Sequence, residues 1–210
     1  MRGKVADFRT LKLVGGALCL DFANTIDWRD TRQSREWLHD CEDLITWAEY
    51  AGSIDTALAT RLRSEAERCR SNADRVARQA LELREILYRV FSATARGEAA
   101  PAPADVAQLN RRVSGTLKRT GLQWTATGVV VVWDGKEDGL DRILWTIVHS
   151  AVELLVSSDL DRLRECAREN CRWLFLDRSR NRSRHWCDMR QCGNAVNARR
   201  HYRRNRKIRP

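Results

Sequence analysis

The chain has 210 residues, of which 43% are hydrophobic and 31% are charged. This composition is typical of globular proteins, and the length allows one domain of ordinary size plus a small module. The sequence contains no run of the roughly 18 apolar residues that a membrane span requires, and no secretory signal. From these observations we expect no membrane partner and predict a cytoplasmic protein.

The net charge of +10 is concentrated at the C-terminal end of the chain. Residues 161–210 contain 16 Lys and Arg against 5 Asp and Glu, whereas the preceding 160 residues contain 22 against 23. A basic segment next to a neutral body indicates a polyanionic partner, most simply nucleic acid.

The N-terminal part opens with a Gly15-Gly16 pair and a short helical segment, in which Asp21 and Asn24 lie three residues apart among apolar neighbours. Two interpretations stay open for these polar side chains. They either hydrogen-bond to backbone groups and hold the following loop, or they line a small polar pocket for an effector.

Apolar residues then recur at spacings of three and four, which predicts a series of helices. A short helix around Leu44 and Trp47 is expected to begin with Asp40 or Asp43 as its cap. Longer helices are predicted over residues 54–70, 72–96, 104–118 and 138–157, the last as a central core helix.

The spacing changes between the last two helices, where residues 122–126 and 129–133 flank Thr127-Gly128 and predict a β-hairpin. The expected fold class is therefore α+β. A mainly helical domain with a small β-hairpin covers residues 1–158, and a zinc finger made of a hairpin plus a helix covers residues 161–210. Because the helical part has its own apolar helices and a neutral charge balance, we expect it to fold without the finger.

Four cysteines near the C-terminus have the spacing C-x4-C-x15-C-x4-C: Cys166, Cys171, Cys187 and Cys192. Two pairs joined by a segment of hairpin length are what a closed tetrahedral zinc site requires. The alternatives are four unrelated buried cysteines or two disulfides, and disulfides do not suit a chain without a secretory signal. The spacing predicts one structural zinc per chain.

The segment between the cysteine pairs predicts a strand over residues 172–176 and a polar turn after it. Gly193-Asn194 then predicts a turn of positive φ, followed by a basic helix from about Ala195. We expect arginines of the polar turn and of the basic helix to contact phosphates, with Asn197 or Arg200 reading bases. The candidate nucleic-acid contacts are Arg178, Arg180, Arg182, Arg184, Asn197, Arg199, Arg200, Arg203, Arg204, Arg206 and Lys207.

Two motifs resemble known families. The run from Cys166 to Asn194, with Cys192-Gly193-Asn194 near its end, resembles the CGNR zinc finger, and Leu20-Asp-Phe-Ala-Asn-Thr25 resembles the start of the ABATE domain that usually precedes it. The resemblance implies a transcription regulator whose finger binds nucleic acid. Ala195 stands where the family has its eponymous arginine, so the contact made by that arginine would be missing unless Arg199 or Arg200 replaces it.

The leading hypothesis is a DNA-binding transcription regulator, whose N-terminal domain senses a small-molecule effector or forms a homodimer. An alternative is RNA binding by the same finger, because Trp173, Phe175, Trp186 and Tyr202 lie among arginines. A remote alternative is an enzyme with its active site in the N-terminal domain. We expect no enzymatic activity, because four sulfur ligands leave zinc no open position and the N-terminal domain has no catalytic motif.

Overall fold

The computed structural model describes residues 7–29, 31–98, 100–133 and 139–199. Its helices agree with the predicted series to within a few residues, because the apolar spacing that predicts them also creates their buried faces. The part of the predicted last helix before residue 139 lies outside the described residues. The α-helices are α1 (Leu18–Ala23), α2 (Cys41–Tyr50), α3 (Thr56–Arg68), α4 (Arg70–Ala95), α5 (Pro103–Leu117) and α6 (Arg142–Leu155).

Local sequence signals explain where the helices begin. The Asp40 carboxylate accepts a hydrogen bond from the Asp43 amide at 2.9 Å and caps α2, and Asp55 caps α3 by accepting from the Leu58 amide at 2.7 Å. Pro103 occupies the first turn of α5, where a missing amide hydrogen costs nothing. Of the two caps considered for α2, Asp40 is therefore the one used.

Six short strands form three separate antiparallel pairs in the described part of the chain. The predicted hairpin is present, although its turn falls at residues 126–127 and Gly128, at φ 135°, is the first residue of its second strand. The pairs are β1 (Ile26–Asp27) with β2 (Arg35–Glu36), β3 (Thr120–Thr125) with β4 (Gly128–Trp133), and β5 (Leu163–Glu165) with β6 (Leu174–Leu176).

Within the described residues, the β3–β4 hairpin packs against the helices near its base. The Trp133 ring lies 6.2 Å from that of Trp145 and 5.7 Å from that of His149, both on α6. Further out, Leu122 is 61% exposed and Trp124 is 75% exposed. The outer half of the hairpin therefore contributes little to the core.

The strands of the finger are part of the core of the helical domain. Leu174 and Phe175 on β6 are fully buried, in the same apolar cluster as Phe22 of α1 and Phe91 of α4. The Leu176 amide also donates to the Gly15 carbonyl at 2.9 Å. The two segments of the chain share one core, and the folding of residues 1–158 without the finger stays a prediction.

A buried arginine fixes the loop after α1 to the long helix α4. Arg84 is 4% exposed and donates to both Glu36 at the end of β2, at 2.7 Å, and the backbone carbonyl of Thr25, at 3.2 Å. Its Nε also lies 3.0 Å from a Glu85 oxygen. Because a buried charge is tolerated only when it is paired and hydrogen-bonded, this network holds the Leu20–Thr25 motif in place.

We expect Phe175→Ala, a change within the finger, to destabilise the whole chain. Removing a fully buried phenyl ring from a shared core should lower the free energy of unfolding by about 3–5 kcal/mol. Urea denaturation followed by far-UV circular dichroism, which reports the helices, measures the effect. Trp124→Ala, a large aromatic truncation at an exposed position, is the control and should change the midpoint little. An unchanged helical transition in Phe175→Ala would show that the finger and the helices unfold separately.

Candidate zinc site and its basic surface

The four cysteines predicted from spacing come together in the structure. One sulfur from each of Cys166, Cys171, Cys187 and Cys192 lies within 4.8 Å of the other three, and all four residues are buried. The Cys171 and Cys187 sulfurs are 3.5 Å apart, and those of Cys187 and Cys192 are 3.6 Å apart. Tetrahedral zinc with Zn–S bonds of about 2.3 Å requires sulfurs about 3.8 Å apart, so the cluster fits zinc closely.

The first cysteine pair is held by the β5–β6 hairpin. Cys166 directly follows β5, and its amide donates to the Trp173 carbonyl at 2.8 Å, which continues the pairing of the two strands. The Cys171 amide donates to the Arg168 carbonyl at 2.8 Å and closes a tight turn. Arg172 then has φ 56°, which redirects the chain from the turn into β6.

The second pair brackets the start of a single π-helical turn, Met189–Gly193, whose cap is Asp188: Cys187 precedes the cap and Cys192 lies on the turn. The Asp188 carboxylate accepts from the Gln191 amide at 2.9 Å and from the Lys12 ammonium at 2.6 Å. The hydrogen bond with Lys12 is the main reason that the pKa of Asp188 is lowered. Lys12 thus connects the N-terminal segment to the metal site, a role that the sequence analysis missed.

Gly193 packs closely against Met189 and Trp186 and does not have a positive φ, so the predicted left-handed turn is wrong. Asn194 has α-helical angles (φ −63°, ψ −39°), and the helix over residues 194–199 follows the π-helical turn directly. A Cβ atom on Gly193 would lie 2.3 Å from the Met189 sulfur and 3.0 Å from Trp186 Cδ1. After Cys192 the chain therefore continues directly into the helix at the start of the basic tail.

Asp177 organises the polar turn between the cysteine pairs. It is fully buried, and its two oxygens accept from the Ser179 amide at 2.9 Å and the Arg184 amide at 2.8 Å. Burial opposes its ionisation, but the hydrogen bonds from Ser179 and Arg184 outweigh burial and lower the pKa of Asp177. The turn that presents Arg180 and Arg182 is thus held by one buried carboxylate.

The metal-free thiols share protons unequally. Hydrogen bonding with Cys171, and then with Cys187 and Cys192, lowers the pKa of Cys166, whereas hydrogen bonding with Cys166 raises the pKa of Cys187. Four thiolates this close would repel one another without a cation. Zinc binding must therefore release protons, and the affinity should rise with pH.

The candidate effector residues Asp21 and Asn24 both hydrogen-bond to backbone groups. This agrees with the first of the two interpretations given above. Asp21 Oδ1 accepts from the Gly15 amide at 2.8 Å. The Asn24 amide is 1% exposed, donates to the Leu174 carbonyl at 2.8 Å and accepts from the Leu174 amide at 2.9 Å. Both side chains hold segments that contact β6, and neither polar atom of the Asn24 amide is left for a ligand.

The predicted nucleic-acid contacts fall into four groups. Arg184 is used inside the finger, because it donates to the carbonyls of Trp186 and Cys187 and its guanidinium lies 4.5 Å from the centre of the Phe175 ring. Arg178 lies 3.5 Å from Asp159. Besides Arg178, the exposed candidates are Arg180, Arg182, Asn197 and Arg199. The remaining ones, Arg200, Arg203, Arg204, Arg206 and Lys207, lie outside the described residues.

Arg190 is an exposed basic residue that the sequence analysis did not include. It lies on the π-helical turn between the second pair of cysteines, next to the start of the helix over residues 194–199. Its position between two predicted zinc ligands could have identified it as a candidate for nucleic-acid contact. Arg180 and Arg182 have no hydrogen-bonding or ion-pair partner for their guanidinium groups among the described residues.

We expect one zinc per chain, and Cys187→Ser should lose most of it. Elemental analysis after dialysis measures the metal content, with Cys69→Ser, outside the cluster, as the matched control. Because the finger shares the core of the helices, removing zinc with a chelator should lower the melting temperature of the whole chain. Full zinc retention by Cys187→Ser would contradict the ligand assignment.

We expect Asp21→Asn to change how stability depends on pH. Burial raises the pKa of Asp21 to about 6, despite hydrogen bonds from the amides of Gly15 and Val14. A raised folded-state pKa stabilises the protein below the unfolded value of about 4, and this contribution is lost as the pH rises through 6. The unfolding free energy of Asp21→Asn minus that of the wild type should therefore rise between pH 4 and 6 by at most about 1.4 kcal/mol per pH unit.

Asp74→Asn, at an exposed position on α4, is the control for Asp21→Asn and should follow the wild-type curve. Protonation of the zinc ligands affects all three proteins alike, so it cancels in the comparison. A difference between Asp21→Asn and the wild type that stays constant from pH 4 to 8 would contradict the raised pKa.

Comparison with known protein families assigns both parts of the chain. Residues 16–158 match the ABATE model, described as "Putative stress-induced transcription regulator", and residues 162–205 match the CGNR zinc finger. The comparison with curated proteins found no match. Within the residues that the structure covers, no helix is both long and apolar enough to cross a membrane. Because the ABATE match spans more than half of the sequence, the chain belongs to the ABATE family, and its CGNR finger holds one structural zinc.

Proposed function

We propose that this protein is a cytoplasmic, DNA-binding transcription regulator, in which the zinc finger contacts the DNA backbone. The observation that carries the proposal is the group of exposed arginines around the metal site, Arg180, Arg182, Arg190 and Arg199. The family description supports regulation, and the positive charge supports an anionic partner.

Zinc gives these arginines a fixed arrangement. Arg180 and Arg182 lie on the turn held by Asp177, and Arg190 lies between two metal ligands. The helix over residues 194–199 begins two residues after Cys192. Because side chains that are already positioned lose less entropy on binding, the finger can hold several phosphates at once.

The basic surface is also rigidly attached to the helical body. Lys12 pairs with Asp188, Asn24 pairs with the backbone of Leu174, and the Trp173 indole donates to the Ile26 carbonyl at 3.0 Å. A finger joined in this way cannot reorient freely. The helical domain would therefore determine how the finger approaches DNA.

The burial of the aromatic residues favours duplex DNA over single-stranded RNA. Stacking on unpaired bases requires exposed rings. Trp173 is 8% exposed, Phe175 is fully buried, and Trp186 is half-buried against the core. Tyr202 lies outside the described residues.

Asn197 and Arg199 are the described residues of the helix best placed for DNA. Both are exposed. Asn197 has the amide that pairs with adenine in the major groove. Arg199 lies four residues after Ala195 and therefore on the same helix face, where it can replace the contact of the arginine that the family has at Ala195.

In this proposal the helical domain senses a small-molecule effector or forms a homodimer, and the protein is not an enzyme. A dimer would place two fingers on a two-fold DNA site, and sedimentation of the protein–DNA complex would count the protomers. Four sulfur ligands leave zinc no position for a water, which supports a structural metal.

We expect Arg180→Ala together with Arg182→Ala to weaken binding to duplex DNA of any sequence. Each phosphate contact contributes about 0.9 to the slope of log K against log salt, so losing two should flatten that slope by about one to two units. Arg203→Ala with Arg204→Ala should have a similar effect. Fluorescence anisotropy with a labelled duplex at several salt concentrations measures both.

Arg70→Ala with Arg78→Ala, two exposed arginines of α4 away from the finger, is the matched control and should keep the wild-type slope. Equal slopes for all variants would contradict the phosphate contacts. Selection of bound fragments from genomic DNA and total RNA distinguishes the two partners, and enrichment of RNA alone would contradict the DNA proposal.

A further inference from the structure

A cavity of about 220 Å³ lies between α4, α5 and α6, and none of the zinc ligands lines it. Arg75 on α4, Arg111 on α5 and Arg119 just after α5 contribute to its walls. Leu144 and Trp145 on α6 belong to its apolar lining. The cavity thus combines cationic walls with an apolar floor.

Three of the cavity's four arginines have no carboxylate partner in the part of the chain that the structure describes. Arg111 and Arg119 make no hydrogen bond or ion pair there through their guanidinium groups. Arg75 binds only the amide oxygens of Asn72, at 2.6 Å, and Gln79, at 2.9 Å, which position its guanidinium without neutralising it. The cavity therefore keeps a positive charge that suits an anion.

The described acidic groups near the cavity do not cancel this charge. Glu82 lies 3.0 Å from Arg112 and neutralises that fourth arginine. Among the residues that the structure describes, Asp141, at the start of α6, is the one acidic residue in the lining. Its negative charge, counted against the three other arginines, leaves a net charge of +2 in the lining.

The floor of the cavity suits a flat apolar group. The Arg119 guanidinium lies 4.9 Å from the centre of the Trp145 ring, and the partly accessible edges of Leu144 and Trp145 form the apolar surface, whereas Leu83 and Val148 are buried in the core. An engineered apolar cavity of about 150 Å³ accommodates benzene, so 220 Å³ is enough for one six-membered ring with an anionic substituent.

Gly115 on α5 leaves space on one side of this cavity. A Cβ atom built on it would meet no atom within 4 Å, and its backbone does not have a positive φ. Glycine is among the least favourable residues within a helix, and here neither backbone geometry nor close packing requires it. The missing side chain keeps the cavity open.

We propose that this cavity binds a small organic anion that consists of an apolar ring bearing a carboxylate or a phosphate. The arginines bind the anionic group, and the Leu144–Trp145 surface packs against the ring. The inference deepens the proposed regulatory function by locating its effector site, away from Asp21 and Asn24. The binding itself requires no DNA.

The test uses the zinc-loaded, full-length protein and isothermal titration calorimetry at constant ionic strength. Benzoate and phenyl phosphate are the probes, and benzamide is the neutral analogue of benzoate. At least one of the two anions should bind, and benzamide should bind about tenfold more weakly or less, because it lacks the charge-assisted hydrogen bonds. The comparison of benzoate with phenyl phosphate shows which anionic group the site prefers.

Two variants alter the site in different ways. Gly115→Leu fills the cavity without removing a charge, and Arg111→Gln with Arg119→Gln removes charge but keeps the shape. Each should weaken binding of the preferred anion by about tenfold or more, whereas Arg78→Ala, on the exposed side of α4, should bind like the wild type. Circular dichroism shows whether each variant is folded.

Two results would overturn the inference: no binding of either anion, or unchanged binding in both folded cavity variants. Either result leaves the DNA proposal intact, since DNA binding is measured without these ligands. Conversely, a protein that binds benzoate through Arg111 and Arg119 but does not bind DNA would retain the cavity site and lose the regulator proposal.

Discussion

The burial of strand β6 in the helical core is the constraint on which the rest of the structure depends. β6 lies next to the first pair of zinc ligands in the chain, yet Leu174 and Phe175 are packed among the side chains of α1 and α4. The Asn24 amide binds both backbone groups of Leu174, 150 residues away in sequence. We therefore expect metal binding and helix packing to be coupled in folding, because β6 packs both beside the zinc ligands and in the helical core.

The sequence predicts the features that have a local or periodic signal. The helices follow from apolar residues at spacings of three and four, and the zinc ligands follow from paired cysteines. The shared core has no such signal, because a charge count distinguishes the surfaces of two segments and says nothing about which apolar faces meet. The error at Gly193 has a similar origin: glycine suits a positive φ, but here the absent Cβ makes room for the Met189 sulfur.

The arginines show why charge alone does not identify a binding surface. Arg84 and Arg184 are held by carboxylates, carbonyls or an aromatic ring within the fold, whereas Arg180 and Arg182 project into solvent. All four look alike in a sequence rich in arginine. What separates them is the cost of burying a guanidinium, which is tolerated only where nearby acceptors replace its lost hydration.

Helix α4 is the element that connects the proposed effector site to the finger. Arg75 in its first half contributes to the cavity, while Phe91 in its second half packs in the core that contains β6. With 26 residues the helix is about 39 Å long, and it transmits a displacement only by moving as a rigid body or by shifting against α1 and α6. If an anion in the cavity changes DNA affinity through such a shift, DNA must change the affinity for the anion by the same factor, because coupling between two sites is reciprocal.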